Sequence, residues 1–332
     1  MAGQITAFDI GESMVKIVSC SGGQIKKTAC AELPDNLVRD GEVLFNDAMA
    51  DMLKTTLKEN GVSKGKAAVI LPDSLVFSRN VTVPPMTDAQ LRYNLPFEFK
   101  DYLTQEKGQY YFDYGVQEII KEGDTPKEMR LFACAALKST IEQYRSFFRQ
   151  AGCKLVNAIP EEVAYGSLVA RHIEKNPEDK DEDFCLVDVG HRGLRMHIYR
   201  GTEFRNRRTV DLGLQNLEQQ IADSRGVDIH VAHTHLMTNY QDAQDLDLSH
   251  ELYNRMAVEI MKSVNFYNYN NRDRSLHRIT LCGGGAGLEP LQKAIADMTS
   301  LEIMPVSNLI PGADKLESPW LYARAIGCAL QK

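Results

Sequence analysis

The chain repeats itself once, and that repeat limits its possible folds more than any other feature. Residues 5–30 alternate strand and turn. An apolar run Ile5–Phe8 breaks at Asp9-Ile10-Gly11, resumes from Met14 to Ser19, turns at Ser21-Gly22-Gly23 and runs on from Gln24 to Cys30. The same order returns at 184–210: Phe184–Val187, Asp188-Val189-Gly190, Leu194–Tyr199, a turn at Arg200-Gly201-Thr202, then Glu203–Val210. Asp9 to Lys16 and Asp188 to Arg195 each span seven residues; Asp9 to Gly22 and Asp188 to Gly201 each span thirteen. A single Asp-x-Gly reads as a plain turn between strands. Two at matched offsets describe a duplicated domain, each half opening with a β-meander, rather than a repeat array. The N–H groups of such a turn can cradle phosphate oxygens, and the leading carboxylate can hold Mg²⁺ through water.

A third landmark is Leu281-Cys282-Gly283-Gly284-Gly285-Ala286-Gly287, between the apolar 278–281 and the helical pattern of Leu288, Leu291 and Ile295. It reads either as a plain strand-to-helix turn or as a close-approach loop where an anion or nucleotide docks. Between the landmarks, 47–59, 87–103, 140–151, 162–173, 213–224, 228–240, 248–270 and 319–330 carry helical periodicity, with Thr87-Asp88 as a cap and Pro96 as a break or kink. Strands are expected at 66–71, 75–83, 110–119, 129–136 and 153–159. Lys175 to Asp183, rich in acidic residues around Pro177, is the best linker candidate.

Charge and cysteine usage exclude several classes. The net charge of −7 argues against a broad nucleic-acid footprint. No run of 18 apolar residues predicts a transmembrane helix, and the first residues lack the basic and apolar regions of a signal peptide. Seven scattered cysteines without Cys-x-x-Cys pairs do not form a disulfide framework, so a reducing, cytoplasmic compartment is expected. His230 and His233 stand three apart on one helix face, with His235 off it; they read as solvated histidines, with a metal site as the rarer alternative.

The duplication, the two Asp-x-Gly hairpins and the late glycine run together resemble the actin-like ATPase superfamily, where these segments are two phosphate loops and an adenosine loop. The helix at Ile159-Pro160-Glu161-Glu162-Val163-Ala164-Tyr165-Gly166 resembles that fold's first connecting helix, and the last helix its second. The stretch from Leu91 to Leu103, followed by Tyr111-Phe112-Asp113-Tyr114, is similar to the PilM family of type IV pilus assembly proteins, as is Arg130–Ala136 through Ile141–Tyr144 to Ala151-Gly152-Cys153. The resemblance covers nearly the whole chain in the right order.

It implies an α/β fold of two actin-like, ribonuclease-H-like domains flanking a nucleotide cleft, with an inserted subdomain of the kind found in the cell-division protein FtsA. The implied division is 1–75 with 155–182 as a first lobe, 76–154 as the insert, 183–213 with 275–318 as a second lobe, 214–274 as a helical subdomain, and 319–332 as a C-terminal helix returning to the first lobe. The implied protein is cytoplasmic and binds ATP with Mg²⁺. It recruits the cytoplasmic N-terminal tail of PilN in a groove between first lobe and insert, and so reaches the inner membrane through partners. Other platform proteins and self-association are further implied contacts; nucleic acid and direct membrane insertion are not.

By the same resemblance Asp9 and Asp188 face Mg²⁺ and Glu161 positions water, as the catalytic set. Gly11, Glu12, Ser13 and Lys16 contact phosphate from the first hairpin, Gly190, His191 and Arg192 from the second, and Gly283, Gly284, Gly285 and Ala286 flank adenosine and ribose. For Lys16 the residues alone leave open an exposed strand lysine, and for Glu161 a first-turn glutamate favoured by the helix dipole. The second loop departs from the family pattern, since His191 and Arg192 stand where small residues and a hydroxyl are usual. The two bulky residues act as a phosphate clamp, or they mark lost hydrolysis or lost nucleotide binding; turnover is expected to be weak at most. The competing functions are a small-molecule kinase on the same fold, a nucleotide-free structural adaptor, and an FtsA-like scaffold. The last is disfavoured because the chain stops within its last helix, with no basic amphipathic anchor after it.

Overall fold

The computed structural model describes residues 3–310 and 312–331. The chain divides into two compact units: Met1–Ala170 with Thr202–Phe204 and Arg324–Lys332, and Arg171–Gly201 with Arg205–Ala323.

The first unit opens with the predicted meander: β1 (Ile5–Ile10), β2 (Met14–Ser21) and β3 (Gln24–Glu32). A small ribbon, β4 (Val38–Arg39) and β5 (Glu42–Val43), leads into α1 (Asn46–Glu59) and β6 (Lys66–Leu71). The insert follows as β7 (Val76–Val83), α2 (Asp88–Glu98), β8 (Tyr110–Glu122) and β9 (Thr125–Leu137). Then come α3 (Lys138–Gln150), β10 (Lys154–Pro160) and α4 (Glu161–Lys175), which crosses into the second unit. The main sheet has the order β10-β6-β1-β2-β3, with β1 parallel to β6 and antiparallel to β2.

Two distinct clusters of buried apolar side chains organise the described residues around the main sheet's α1–α3 face and the insert. The main one joins Phe8, Val15 and Ile17 of the sheet to Met49, Leu53 and Leu57 of α1 and to Ile141, Tyr144, Phe147 and Phe148 of α3. The rings of Phe8 and Phe148 meet edge-on at 4.8 Å. The sequence reading assigns 76–154 to the insert. The structure instead packs α3 on the main sheet, so the insert's own core is Val81, Leu91, Leu95, Phe99, Tyr110, Leu131 and their neighbours on the sheet β7-β9-β8. Helix α2 is also shorter than the expected 87–103. Thr87 caps it in a reciprocal box with Gln90, but it ends at Glu98, two residues after Pro96. The Glu98 carbonyl, left without a helical donor, accepts from Arg79 Nη1 at 2.7 Å.

The second unit carries the second meander, β11 (Asp183–Val189), β12 (Leu194–Arg200) and, from Arg205 on, β13 (Glu203–Val210). It continues with α5 (Leu214–Arg225), α6 (Ile229–Met237), α7 (Asp247–Asn270), β14 (Arg278–Cys282), α8 (Glu289–Thr299) and β15 (Glu302–Ile303). Its sheet, β13-β12-β11-β14-β15, repeats the arrangement of the first: a meander joined to parallel strands. One core runs from Val187 and Leu194 through Leu217 and Ile221 to Leu252, Met256 and Ile260 of α7, on the period expected. The acidic 175–183 stretch includes a 3₁₀ turn at Pro177–Asp181, where Asp179 Oδ2 lies 2.7 Å from His172 Nε2.

The last helix, α9 (Ala323–Leu330), follows a 3₁₀ turn at Pro319–Tyr322 and packs in the first unit. At Gly327 it lies so close to the Ala164 carbonyl of α4 that any Cβ would overlap it, and Gln331 Oε1 accepts from Ser167 Oγ at 2.7 Å. Among the described residues no helix is long and apolar enough to cross a membrane.

Candidate functional site

The two Asp-x-Gly hairpins have one geometry. Asp9 pairs across the strands with Lys16, and Asp188 with Arg195. Gly11 N–H donates to the Met14 carbonyl at 3.0 Å; Gly190 N–H donates to the Gly193 carbonyl at 2.9 Å. In each, the cation seven residues on folds back over the loop. A Cβ on Gly11 would stand 3.8 Å from Lys16 Nζ, and one on Gly190 would stand 3.6 Å from Arg195 Nη1. Each unit therefore presents a short loop of backbone with a positive side chain above its first glycine. That pairing suits the oxygens of an anion. Asp9 and Asp188 are both buried, at 4% and 1% exposure, at the strand ends.

The loops differ in how they are held. In the first, the Ser13 carbonyl accepts from Leu33 N–H at 2.8 Å, and Gly11, Glu12 and Ser13 are half-buried. In the second, the first amides of α5 are already engaged: Leu214 N–H donates to the Gly190 carbonyl and Gln215 N–H to the His191 carbonyl, at 3.1 and 2.8 Å. His191 is drawn toward α5, with Nδ1 3.5 Å from Glu218 Oε2. The other oxygen of Glu218 is 2.7 Å from His233 Nδ1. So His191, expected as a phosphate contact, sits against a buried carboxylate that keeps it on the helix, while Arg192 beside it is exposed. The histidine trio also resolves into separate roles. His233 joins Glu218, His230 lends its amide to the Asp228 cap, and His235 lies against Arg225 and the Tyr240 ring. Among the described residues no group of three or more His, Cys, Asp or Glu side chains is placed to hold a metal ion.

The glycine run closes on the second hairpin. Gly283 has φ +84°, and a Cβ there would overlap the Asp188 carboxylate. Its N–H donates to the Trp320 carbonyl at 3.1 Å, and Gly284–Gly287 form a 3₁₀ turn before α8. The structure brings Gly283 against Asp188; Gly285 and Ala286 are buried beneath the turn.

In the first unit an unforeseen residue completes the site. Arg324, near the start of α9, reaches Asp9 Oδ1 with Nη2 at 3.2 Å and Glu161 Oε1 with Nη1 at 2.7 Å. Lys16 Nζ stands 3.9 Å from the other Asp9 oxygen. The side chains of Arg324, Asp9 and Glu161 are 12%, 5% and 2% exposed. The sequence signal was present: Arg324 is the only charged residue in Ala-Arg-Ala-Ile-Gly-Cys-Ala-Leu.

This cluster decides how Asp9 meets a divalent cation. Arg324 and Lys16 both stand against Asp9, and Arg324 also holds Glu161. A doubly charged ion at Asp9 would have to share the carboxylate with the Arg324 guanidinium, which repels it. Asp9, expected to face Mg²⁺, is held here by Arg324 at Oδ1, with Lys16 3.9 Å from Oδ2. Glu161, expected to position water, is instead held as one arm of the Arg324 clamp.

The chain's relatives agree with this architecture. The family model described as type IV pilus assembly protein PilM matches residues 7–313. No curated protein matches the sequence. Among solved structures, a PilM-PilN type IV pilus biogenesis complex superposes with a TM-score of 0.83 at 20% identity, covering 98% of this chain and 97% of that one. The ethanolamine utilization protein EutJ from Carboxydothermus hydrogenoformans gives 0.63 at 14% identity, covering 100% and 91%. ADP-bound MreB5 of Spiroplasma citri gives 0.53 at 11%, covering 98% and 94%. At such identities the likeness establishes the fold, which is the actin-like α/β fold expected from the hairpins.

Proposed function

The chain belongs to the family of type IV pilus assembly protein PilM, and we propose that it is a nucleotide-binding scaffold of the pilus assembly platform that recruits the cytoplasmic N-terminal tail of a PilN partner. The observation that carries the nucleotide part is the matched pair of hairpins, each with a basic side chain over its loop glycine. ATP is the proposed ligand. The candidate phosphate contacts are Lys16, Gly11, Glu12 and Ser13 in the first unit and Gly190, Arg192 and Arg195 in the second, whose Gly283–Ala286 are the candidate nucleoside contacts. Asp188 is the carboxylate proposed to face a cation carried by the nucleotide. Turnover is slow at most, because Glu161 is engaged by Arg324.

The tail is proposed to dock in the first unit beside α3. Leu44 and Phe45 are 41% and 60% exposed, and Tyr111 is 43% exposed. Gln143 of α3 donates to the Val43 carbonyl, while Lys138 and Arg145 of the same helix lie over the Tyr111 ring. Apolar side chains flanked by cations suit a short peptide with apolar and acidic residues. Attachment to the inner membrane then runs through that partner.

A nucleotide-free adaptor is the second reading, favoured by the Arg324 clamp and by the engaged amides of α5. Calorimetric titration with ATP and, separately, with a synthetic PilN tail distinguishes them. The scaffold binds both; the adaptor binds the tail alone. Turnover that requires an added small acceptor would instead indicate a kinase.

A further inference from the structure

Asp9, Lys16, Glu161 and Arg324 form a buried cluster of opposite charges within one unit, built from β1, β2, α4 and α9. The guanidinium, from near the C-terminal end, spans one carboxylate from the first strand and one from the middle of the chain, using one nitrogen for each. A planar fork is suited to that bridging, and it stays charged at any pH the protein meets. The cluster therefore already contains positive charge at the place a metal ion on Asp9 would occupy.

We infer that Arg324 is a resident counter-cation and positioning residue. It takes the place of a divalent ion between Asp9 and Glu161, so the first hairpin receives an anion without a metal at Asp9. Removing Arg324 converts the two carboxylates into a divalent-cation site. The inference concerns the same hairpin as the proposed nucleotide function, but it is tested with the metal alone, so the two fail separately.

The experiment is a Mn²⁺ titration of the full chain without nucleotide, following the paramagnetic resonance signal of the free ion. In the parent protein no Mn²⁺ uptake depends on Asp9. In Arg324→Ala a single Mn²⁺ binds that the parent does not take up, and adding Asp9→Asn abolishes it. Arg324→Lys, which keeps a cation, stays like the parent. A folded Arg324→Ala protein that gains no site overturns the inference. So does Mn²⁺ binding by the parent that Asp9→Asn removes, a result that needs no variant of Arg324 to fold. Failure of the parent to bind a fluorescent ADP analogue, in Mg²⁺ or in chelator, would count against the nucleotide reading and leave the Mn²⁺ result standing.

Discussion

Replacing Arg324 with methionine keeps most of the side-chain volume and removes one charge. The cluster then changes from two acids and two bases to two acids and one base, with Lys16 at 3.9 Å from Asp9 as the remaining cation. Removing one partner from a buried ion pair costs ~3–5 kcal/mol, because the other charge stays buried without compensation. Exposures of 12%, 5% and 2% leave little water to screen it. For a unit of this size the cost corresponds to a melting shift of roughly 10 °C. Removing the acids as well reverses the sign of the expectation. The triple variant Asp9→Asn, Glu161→Gln, Arg324→Met has no uncompensated acid and is expected within about 1 kcal/mol of the parent. The assay must report on the first unit alone. The single tryptophan, Trp320, lies in the second unit, so its fluorescence does not report on the first unit alone. Hydrogen exchange of peptides from β1 and α4 reads the right place. Protection there falls in Arg324→Met and returns in the triple variant. If the triple variant loses as much as the sum of its parts, the three side chains are not one coupled cluster and the reasoning fails.

Three further outcomes follow from the geometry. Lys16→Met and Arg195→Met should each weaken ATP binding by about tenfold or more, the worth of one charge-assisted contact, with unchanged circular dichroism; equal affinity in calorimetry would remove the hairpins from the site. Alkylation by iodoacetamide at pH 8 should mark exposed Cys30 first, since burial pushes the thiols of Cys134 and Cys185 up to about 12 and that of Cys20 up to about 11; early labelling of Cys185 by mass spectrometry would contradict the packing of β11. Hydrogen bonds from Tyr114 and then Arg92 hold the exposed Asp88 carboxyl below its ordinary range. Its contribution is therefore full above the unfolded carboxyl's pKa and is lost as pH falls through the lowered one. Asp88→Asn should speed exchange in the first turn of α2 at neutral pH and make no difference in strong acid; an effect independent of pH would refute the assignment.

The hairpins were legible because their information is local. Asp9 and Lys16, like Asp188 and Arg195, are cross-strand partners fixed by a four-residue loop, so sequence offset alone sets their register. Helix α3 was legible as a helix but not as part of the main core. The spacing of Ile141, Tyr144, Phe147 and Phe148 says which face is apolar and not which sheet covers it. Arg324 stands out in sequence as the lone charge of its apolar helix, but its partners were out of reach for the same reason in stronger form. Its partners are Asp9 and Glu161, and only tertiary structure brings α9 back to β1 and α4. His191 reads as a loop-tip side chain until Glu218, a buried carboxylate on an amphipathic helix, is placed beneath it.

Coupling between nucleotide and peptide tests the central claim most directly. Titrating a labelled PilN tail into the full chain, with and without saturating ATP, gives two affinities whose ratio must equal the ratio measured for ATP with and without the tail. A nucleotide-gated scaffold predicts that ATP binds and changes tail affinity by about fivefold or more, equally in both directions. Tail affinity unmoved by saturating ATP, or no ATP binding with either Mg²⁺ or chelator present, would contradict it.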